Sequence, residues 1–276
     1  MKKFEDLEKS LRKLSAYAVA FSGGVDSSFL LAAAKKVNPQ NLLAITVSSQ
    51  FVPKRETEFA KKMAHLIGVK HICLEVDILE NEEVVQNTLE RCYYCKKQMF
   101  SLIKKAAENL RIKTLLHAVN LDDLKDFRPG LKAADELGFL APLVDAKCTK
   151  NDIRQLSRQL ELETWNKPSQ SCLATRIPYD EKIIAQNLID VDKAEAFLQG
   201  LGFAQVRVRC HGKTARIEVD PKLIDKVLKH PIRQKISKKF QKIGFDHAGV
   251  DIDGYKTGKM NTKFLDNKKP QSKNQI

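Results

Sequence analysis

The sequence predicts an α/β fold, a doubly wound and mainly parallel sheet, followed by a smaller C-terminal α+β domain. In the first half of the chain, short apolar runs alternate with helical patterns. The first of these runs ends in a glycine-rich turn that opens a helix. In the second half the pattern changes to a long helix, two adjacent strand-like runs and further helices. Alternating elements pack as a sheet with helices on both faces, whereas segregated elements give an α+β domain.

Four apolar runs are the predicted strands of the sheet. Each is short and continuous, which is typical of strands buried on both faces of a parallel sheet. They cover residues 16–21, 42–47, 71–76 and 114–119, with helical patterns near 27–36, 54–67 and 95–110. Ligands of such sheets bind at the carboxyl ends of the strands, so the loops that follow these runs are the candidate site.

The second half predicts a separate domain. A helix near residues 151–160, with Thr149 or Asn151 near its cap, is followed by a loop that Pro178 closes. The later pattern gives a helix near 181–198, a hairpin of 205–210 and 214–219, helices near 221–229 and 232–242, and a strand near Val250. We predict domains of residues 1–176 and 177–262, and a basic flexible tail of residues 263–276.

The composition of the chain limits where the protein can be located and what it can bind. No apolar run approaches the length of a membrane span, and the first residues lead into an amphipathic helix pattern, so we expect a cytoplasmic protein with no membrane partner. The formal charge is +14, and residues 221–276 hold fourteen Lys and Arg against five Asp. Such a region suits nucleic acid or an anionic small molecule. Few aromatic residues interleave with the charges, so nucleic acid is disfavoured but not excluded.

The turn after the first predicted strand predicts a phosphate cradle. Glycines let the backbone approach an anion, and the following helix directs its free N–H groups and positive dipole end at that anion. No lysine follows the glycines, so this is not the G-x-x-x-x-G-K-[ST] loop. A ligand-free turn would explain the glycines but not the flanking acid and hydroxyls. The predicted nucleotide-binding residues are Ser22, Gly23, Gly24, Asp26, Ser27 and Ser28.

Three of the six cysteines form a candidate sulfur or metal site. Cys92 and Cys95 form a CxxC at the start of a predicted helix, and Cys172 lies in a loop expected at the same sheet edge. Three thiolates without a fourth ligand suit a 4Fe-4S cluster better than structural zinc. The alternatives are a redox dithiol, half a zinc site, or an isolated loop thiol at Cys172. The other cysteines are predicted to be structural: Cys73, Cys148 and Cys210.

Charged residues after the predicted strand 114–119 form a second candidate. Asp122, Asp123 and Asp126 precede Arg128 in a loop that should face the nucleotide. An acid there can hold Mg²⁺, and an arginine can pair with phosphate. A capped, solvated loop explains any single one of these residues equally well.

Two arginines on one predicted strand form a third candidate. Arg207 and Arg209 alternate, so they leave the same face of the strand and need anionic partners. A substrate phosphate or carboxylate would serve. A salt-bridge network is the simpler explanation, and the available acids are Glu195, Glu218 and Asp225.

These segments together resemble a known family. SGGVDSS resembles the SGGxDS signature of the PP-loop ATP pyrophosphatases. With CYYCKK, DFRPGLKA, WNKPSQSCLATRIPY and VRVRCHGKTARIE, in this order, it is similar to the ATP-dependent sulfur transferases of the LarE type. The similarity runs from about residue 14 to about residue 260.

The resemblance implies a role in making the nickel-pincer nucleotide cofactor. The family adenylates the carboxylates of pyridinium-3,5-biscarboxylate mononucleotide with ATP and converts them to thiocarboxylates, as homo-oligomers, reported as hexamers. One branch gives up the sulfur of a loop cysteine, and another holds a 4Fe-4S cluster on three cysteines. Cys92, Cys95 and Cys172 point to the second branch, although Cys172 alone could be a sacrificial donor.

The resemblance also implies residue roles. The glycine turn and Arg128 would bind ATP with Mg²⁺, and Arg207 and Arg209 would hold the substrate phosphate, with Glu195, Glu218 and Asp225 as nearby functional acids. Other readings of the same ATP loop are a tRNA 2-thiolation enzyme, an ammonia-using amide synthetase that needs no cysteine site, and a regulator that only binds ATP.

Overall fold

The structure is a computed structural model that describes residues 2–125 and 128–256. The chain divides into two compact units, an N-terminal unit of residues 1–172 and a C-terminal unit of residues 173–276. The sequence placed this boundary at residue 177. Asp126 of the predicted loop and the predicted tail 263–276 lie outside the described residues. Among the residues described, no helix is long and apolar enough to cross a membrane.

The N-terminal unit contains a five-stranded, all-parallel sheet, which confirms the predicted fold class. Its strands are β1 (Tyr17–Ala20), β2 (Leu42–Ser48), β3 (Lys70–Glu75), β4 (Thr114–Leu116) and β5 (Phe139–Leu140). Their order is β3-β2-β1-β4-β5. Central β1 pairs with β2 on one side and with β4 on the other. The strand order reverses at β1, the position at which α/β sheets bind their ligands.

Helices cover both faces of this sheet. They are α1 (Lys2–Arg12), α2 (Val25–Val37), α3 (Lys54–Ile67), α4 (Glu82–Val85), α5 (Arg91–Asn109), α6 (Pro129–Glu136), α7 (Pro142–Asp145) and α8 (Lys150–Gln159). Neighbouring residues of β1 belong to different apolar clusters: Val19 packs with Phe29 of α2, and Ala18 packs with Ile103 of α5. Because side chains alternate along a strand, successive residues of β1 point to opposite faces of the sheet. Both faces are buried, which explains why the strand sequences are continuous apolar runs.

The C-terminal unit has a three-stranded mixed sheet. It contains α9 (Ala185–Gly200), β6 (Val206–His211), β7 (Thr214–Val219), α10 (Ile224–Leu228), α11 (His230–Ile243) and β8 (His247–Val250). β6 and β7 form an antiparallel hairpin, and β8 pairs in parallel with β7. This arrangement confirms a smaller α+β domain after the parallel sheet.

Candidate active site

The glycine turn lies at the carboxyl end of β1 and leads directly into α2. Gly23 has a φ of +68°, and a Cβ there would lie 2.8 Å from Cα of Ala60 in α3. A side chain at Gly23 is therefore excluded by both backbone conformation and space. Gly24 is the N-cap of α2 and supplies no capping side chain, so the first N–H groups of α2 can serve an anion.

Serine hydroxyls hold this turn in shape. The Oγ atoms of Ser22 and Ser27 lie 3.1 Å apart, and Ser27 Oγ donates to the carbonyl of Gly24 at 3.3 Å. The Gly24 N–H reaches Ser22 Oγ at 3.4 Å. Ser28 Oγ is buried and has no hydrogen-bond partner within the described part of the chain. The turn therefore combines a fixed backbone with hydroxyls near the helix start.

Asp26, in the first turn of α2, lies in a network of charged and amide groups. Lys150 Nζ donates to one carboxylate oxygen of Asp26, and Asn120 Nδ2 donates to the other at 3.3 Å. The Asn120 N–H in turn donates to Asp123 at 3.1 Å, and Arg128 Nη2 lies 2.8 Å from Asp123. The structure thus places Arg128 near the turn through Asp123 and Asn120, and adds Lys150, which sequence analysis missed.

A second missed lysine contacts the glycine turn itself. Lys167 Nζ donates to the carbonyl of Gly23 at 3.3 Å and to Glu56 Oε2 at 2.8 Å. The ammonium also lies 3.6 Å from the centre of the Phe59 ring. Arg154 holds the backbone beneath it by donating to the carbonyl of Lys167 at 2.9 Å. The only available sequence signal was the position of Lys167 in the segment that leads to Cys172.

The three candidate thiols share one neighbourhood of the N-terminal unit. Cys92 and Cys95 lie in the first turns of α5, and Arg91 Nη2 donates to Cys92 Sγ at 3.7 Å. Burial raises the pKa of Cys95 to about 12, and the neighbouring thiols of Cys172 and Cys92 add to the rise. Among the described residues, no three His, Cys, Asp or Glu side chains converge closely enough to hold a metal ion.

Burial characterises the three remaining thiols. Cys148 and Cys210 are buried, and burial raises the pKa of each to about 11. Cys73 is half-buried on β3, and burial also raises its pKa. These three positions agree with structural roles.

Packing between α5 and α6 brings the Arg128 loop beside the CxxC. A Cβ on Gly130, in the first turn of α6, would lie 2.8 Å from Lys96 Cγ and 3.3 Å from the carbonyl oxygen of Cys92. Arg128 is the N-cap of the same helix. Polar contacts therefore run from Asp26 through Asn120 and Asp123 to Arg128, and Gly130 of the same helix packs against the start of α5.

The predicted arginines of the C-terminal unit belong to a buried ionic network. Arg209 Nη2 lies 2.9 Å from Glu218 Oε2. Arg207 stacks against Tyr255 at 5.3 Å, and burial together with Arg176 lowers the pKa of Arg207. This ion pair agrees with the simpler interpretation, in which acids of the same unit neutralise the arginines.

Glu195 also pairs with an arginine that sequence analysis did not single out. Its carboxylate receives two hydrogen bonds from Arg176, at 2.8 and 3.0 Å, and a third from the Val208 N–H at 2.9 Å. The buried charged groups described in this unit are three guanidinium groups, those of Arg176, Arg207 and Arg209, and three carboxylates, those of Asp190, Glu195 and Glu218. Asp225 is exposed on α10. Guanidinium groups match phosphate and carboxylate in geometry, and this is the property of the arginine cluster that suits an anion.

Comparisons with known proteins place these features in a family. A model of the asparagine synthase family matches residues 6–108. The pyridinium-3,5-bisthiocarboxylic acid mononucleotide synthase of Lactiplantibacillus plantarum is 33% identical over 256 residues, 92% of each chain. Uncharacterized proteins of Synechocystis (37%, 94% of this chain and 97% of the relative) and Methanocaldococcus jannaschii (28%, 93% and 98%) are also similar. The glycine turn, the three thiols and this similarity together show that the chain belongs to the LarE-type family of ATP-dependent sulfur transferases, within the PP-loop ATP pyrophosphatases.

Proposed function

We propose that this protein uses ATP to convert the carboxylates of pyridinium-3,5-biscarboxylate mononucleotide into thiocarboxylates for the nickel-pincer cofactor. The observation that carries the proposal is the presence, in one compact unit, of the glycine turn and three neighbouring thiols. The relative from Lactiplantibacillus plantarum, whose name states the bisthiocarboxylic acid product, supports the same substrate.

Adenylation is the first proposed step, because a carboxylate is anionic and has a poor leaving group. A carboxylate oxygen attacks the α-phosphorus of ATP, the bond to the β-phosphate oxygen breaks, and pyrophosphate leaves with the electron pair. The turn from Ser22 to Ser28 stabilises that pyrophosphate through backbone N–H groups and hydroxyls. The lysines at the turn, Lys150 and Lys167, add positive charge.

Mg²⁺ suits the carboxylate at this position. Magnesium prefers one or two carboxylates together with substrate phosphates, and Asp26 is a partly exposed carboxylate beside the turn. Asp26 would hold the ion, which supplies charge neutralisation on the pyrophosphate. Because Lys150 donates to Asp26 in this structure, ion and ammonium compete for the same oxygen.

Sulfur transfer is the second proposed step. A sulfur nucleophile attacks the acyl carbon, the tetrahedral oxyanion collapses, and AMP leaves with the electron pair. If Cys172 is the donor, its thiolate forms a thioester; loss of the Cα proton then breaks the Cβ–S bond and leaves dehydroalanine and the thiocarboxylate.

The three thiols suit a 4Fe-4S cluster by donor type, because such clusters are held by cysteine thiolates. Cys92, Cys95 and Cys172 would hold it, and Arg91 beside Cys92 would offset its negative charge. When bound, such a cluster has one iron without a protein ligand, where an added hydrosulfide can be delivered. The raised pKa of Cys95 means that cluster binding would release a proton from this thiol.

The substrate phosphate is proposed to bind Arg207 and Arg209, with Glu195, Glu218 and Asp225 as supporting acids. The position of both arginines on one face of β6, and the match between a forked guanidinium group and phosphate, support this role. We also propose a homo-oligomer, a hexamer by family resemblance, which light scattering on the purified protein tests.

The deciding experiment uses protein purified without oxygen. Substrate-dependent release of pyrophosphate, and formation of a product 16 Da heavier for each oxygen replaced by sulfur, are expected. Iron and sulfide contents of about four each per chain would identify the cluster; an iron-free protein whose Cys172 becomes dehydroalanine would identify the sacrificial donor. Cys172→Ser should abolish thiolation, whereas the matched control Cys73→Ser should keep it. Thiolation that survives in Cys172→Ser would contradict the proposal.

A further inference from the structure

Lys167 lies at a junction between the glycine turn and the segment that carries Cys172. Its ammonium contacts the Gly23 carbonyl at 3.3 Å and Glu56 at 2.8 Å, and only 15% of its side chain is exposed. Glu56 lies in the first turn of α3, the helix that packs against Gly23. One cation therefore connects the turn, α3 and the segment after α8.

The backbone of this segment is fixed just before Cys172. Arg154 of α8 donates to the carbonyl of Trp165 at 2.8 Å and to that of Lys167 at 2.9 Å. Cys172 follows Lys167 by five residues. Five residues span at most about 18 Å when fully extended, so the position of Lys167 limits where the Cys172 thiol can reach.

A nucleotide at the turn changes the balance of charge around Lys167. The ammonium interacts with one carboxylate and one carbonyl in this structure. A triphosphate bound at the turn brings several negative charges to within the screening length of about 8–10 Å. Phosphate oxygens then compete with Glu56 for the same ammonium, because lysine makes charge-assisted hydrogen bonds to phosphate as well as to carboxylate.

We propose that Lys167 is a positioning residue that couples occupancy of the nucleotide turn to the placement of Cys172, exchanging Glu56 for a phosphate oxygen when ATP binds. This inference rests on the proposed function, since it assigns Cys172 a role in sulfur transfer. It adds to that function an order of events: the nucleotide sets the cysteine segment before sulfur is transferred.

The test measures ATP affinity and the reactivity of Cys172 in the full chain. Calorimetry with a non-hydrolysable α,β-methylene ATP gives the affinity, and the rate of iodoacetamide modification of the Cys172 peptide gives the reactivity. In the wild type, the analogue should change this rate. Lys167→Met should remove the change and weaken nucleotide binding about 5- to 30-fold, the equivalent of one or two kcal/mol.

Glu56→Gln distinguishes competition between Glu56 and phosphate from a purely structural ion pair. Because Glu56 competes with phosphate in the proposal, removing its charge should tighten binding of the ATP analogue by a few-fold, about fivefold at most for a partly exposed pair. Lys167→Arg keeps the charge and should respond to the analogue in part. Lys62→Met is the matched control and should behave as wild type: it removes a lysine of α3 whose only described ion pair, with Glu163 after α8, is exposed to solvent.

Two outcomes would overturn the inference. One is a Cys172 modification rate that still responds to the analogue in Lys167→Met. The other is weaker nucleotide binding in Glu56→Gln, which a merely structural ion pair would give. Neither measurement needs turnover, so a wild type that binds ATP but releases no pyrophosphate with the substrate would refute the proposed function separately.

Discussion

Replacement of Gly23 by alanine tests whether the nucleotide turn depends on the close approach of α3. The φ of Gly23 is +68°, and its absent Cβ would lie 2.8 Å from Cα and 3.0 Å from Cβ of Ala60. The nearest atom belongs to the backbone of a helix, so it cannot rotate away as a flexible side chain would. Gly23→Ala must therefore move α3 or distort the turn.

The expected loss of unfolding free energy in Gly23→Ala has two parts. A left-handed conformation costs a residue with a Cβ about 1–2 kcal/mol relative to glycine. Forcing a methyl group into a packed site adds about 1–3 kcal/mol. Gly138→Ala is the matched control, because Gly138 has a φ of +78° but no described atom within 4 Å of its Cβ position. Gly138→Ala should show the conformational cost alone, so the unfolding free energies of the two variants should differ by about 1–3 kcal/mol.

Urea unfolding followed by tryptophan fluorescence measures this difference. Trp165 is the single tryptophan of the chain and lies in the N-terminal unit, so its signal follows the unit that contains both glycines. Gly23→Ala should also bind the ATP analogue more weakly than Gly138→Ala, because only Gly23 lies in the turn. Equal unfolding midpoints and equal nucleotide affinities in the two variants would refute the reasoning.

Three further predictions concern the rest of the chain. Arg176→Met should lower the unfolding free energy of the C-terminal unit by about 3–5 kcal/mol in urea, because it leaves buried Glu195 without its guanidinium; a loss no larger than that of Lys256→Met, which breaks an exposed ion pair of the same unit, would contradict this. Burial alone would raise the pKa of Asp152, but hydrogen bonds from Lys3 and Thr149 outweigh it and lower this pKa to about 2. The ionised Asp152 therefore stabilises the fold above about pH 4, and this stabilisation is lost as the pH falls towards 2. Asp152→Asn should lower the free energy of unfolding by ~1 kcal/mol at pH 7 and reduce its dependence on pH between 4 and 2. An unchanged pH dependence in this range would contradict the prediction. Iodoacetamide at pH 8 should leave Cys95 unmodified in peptide mass spectra, because burial and then the Cys172 thiol raise its pKa to about 12 and only the thiolate reacts; modification at the rate of an exposed cysteine would contradict it.

The fold was predictable because its main signals are local. The run that contains β2 was predicted as 42–47 and found as Leu42–Ser48, since a strand buried on both faces needs continuous apolar residues. The capping box of α8, in which Thr149 and Asp152 bond reciprocally, likewise marks its own helix start. β5 was not predicted, because Phe139–Leu140 is too short to form a pattern.

The candidate site was predictable only in the parts that lie close together in sequence. The glycine turn and the CxxC are each contained in a few residues. Lys150 reaches Asp26 across 124 positions, and Lys167 reaches Gly23 across 144, so no spacing rule links them. Likewise, nothing in the sequence distinguishes Arg176 from a surface arginine, although it is buried against Glu195.

Lys150 and Lys167 supply positive charge beside a glycine turn that has no lysine of its own. The lack of a lysine directly after the glycines excludes the G-x-x-x-x-G-K-[ST] mode of binding, but polyphosphate still needs positive charge. Folding supplies it from later segments, and each ammonium arrives already paired, Lys150 with Asp26 and Lys167 with Glu56. If ATP binds the turn as proposed, its phosphates exchange partners with these carboxylates, so its affinity reflects the difference between two ion pairs. In the proposed mechanism this exchange is reversible, which suits a turn that releases pyrophosphate before sulfur is transferred.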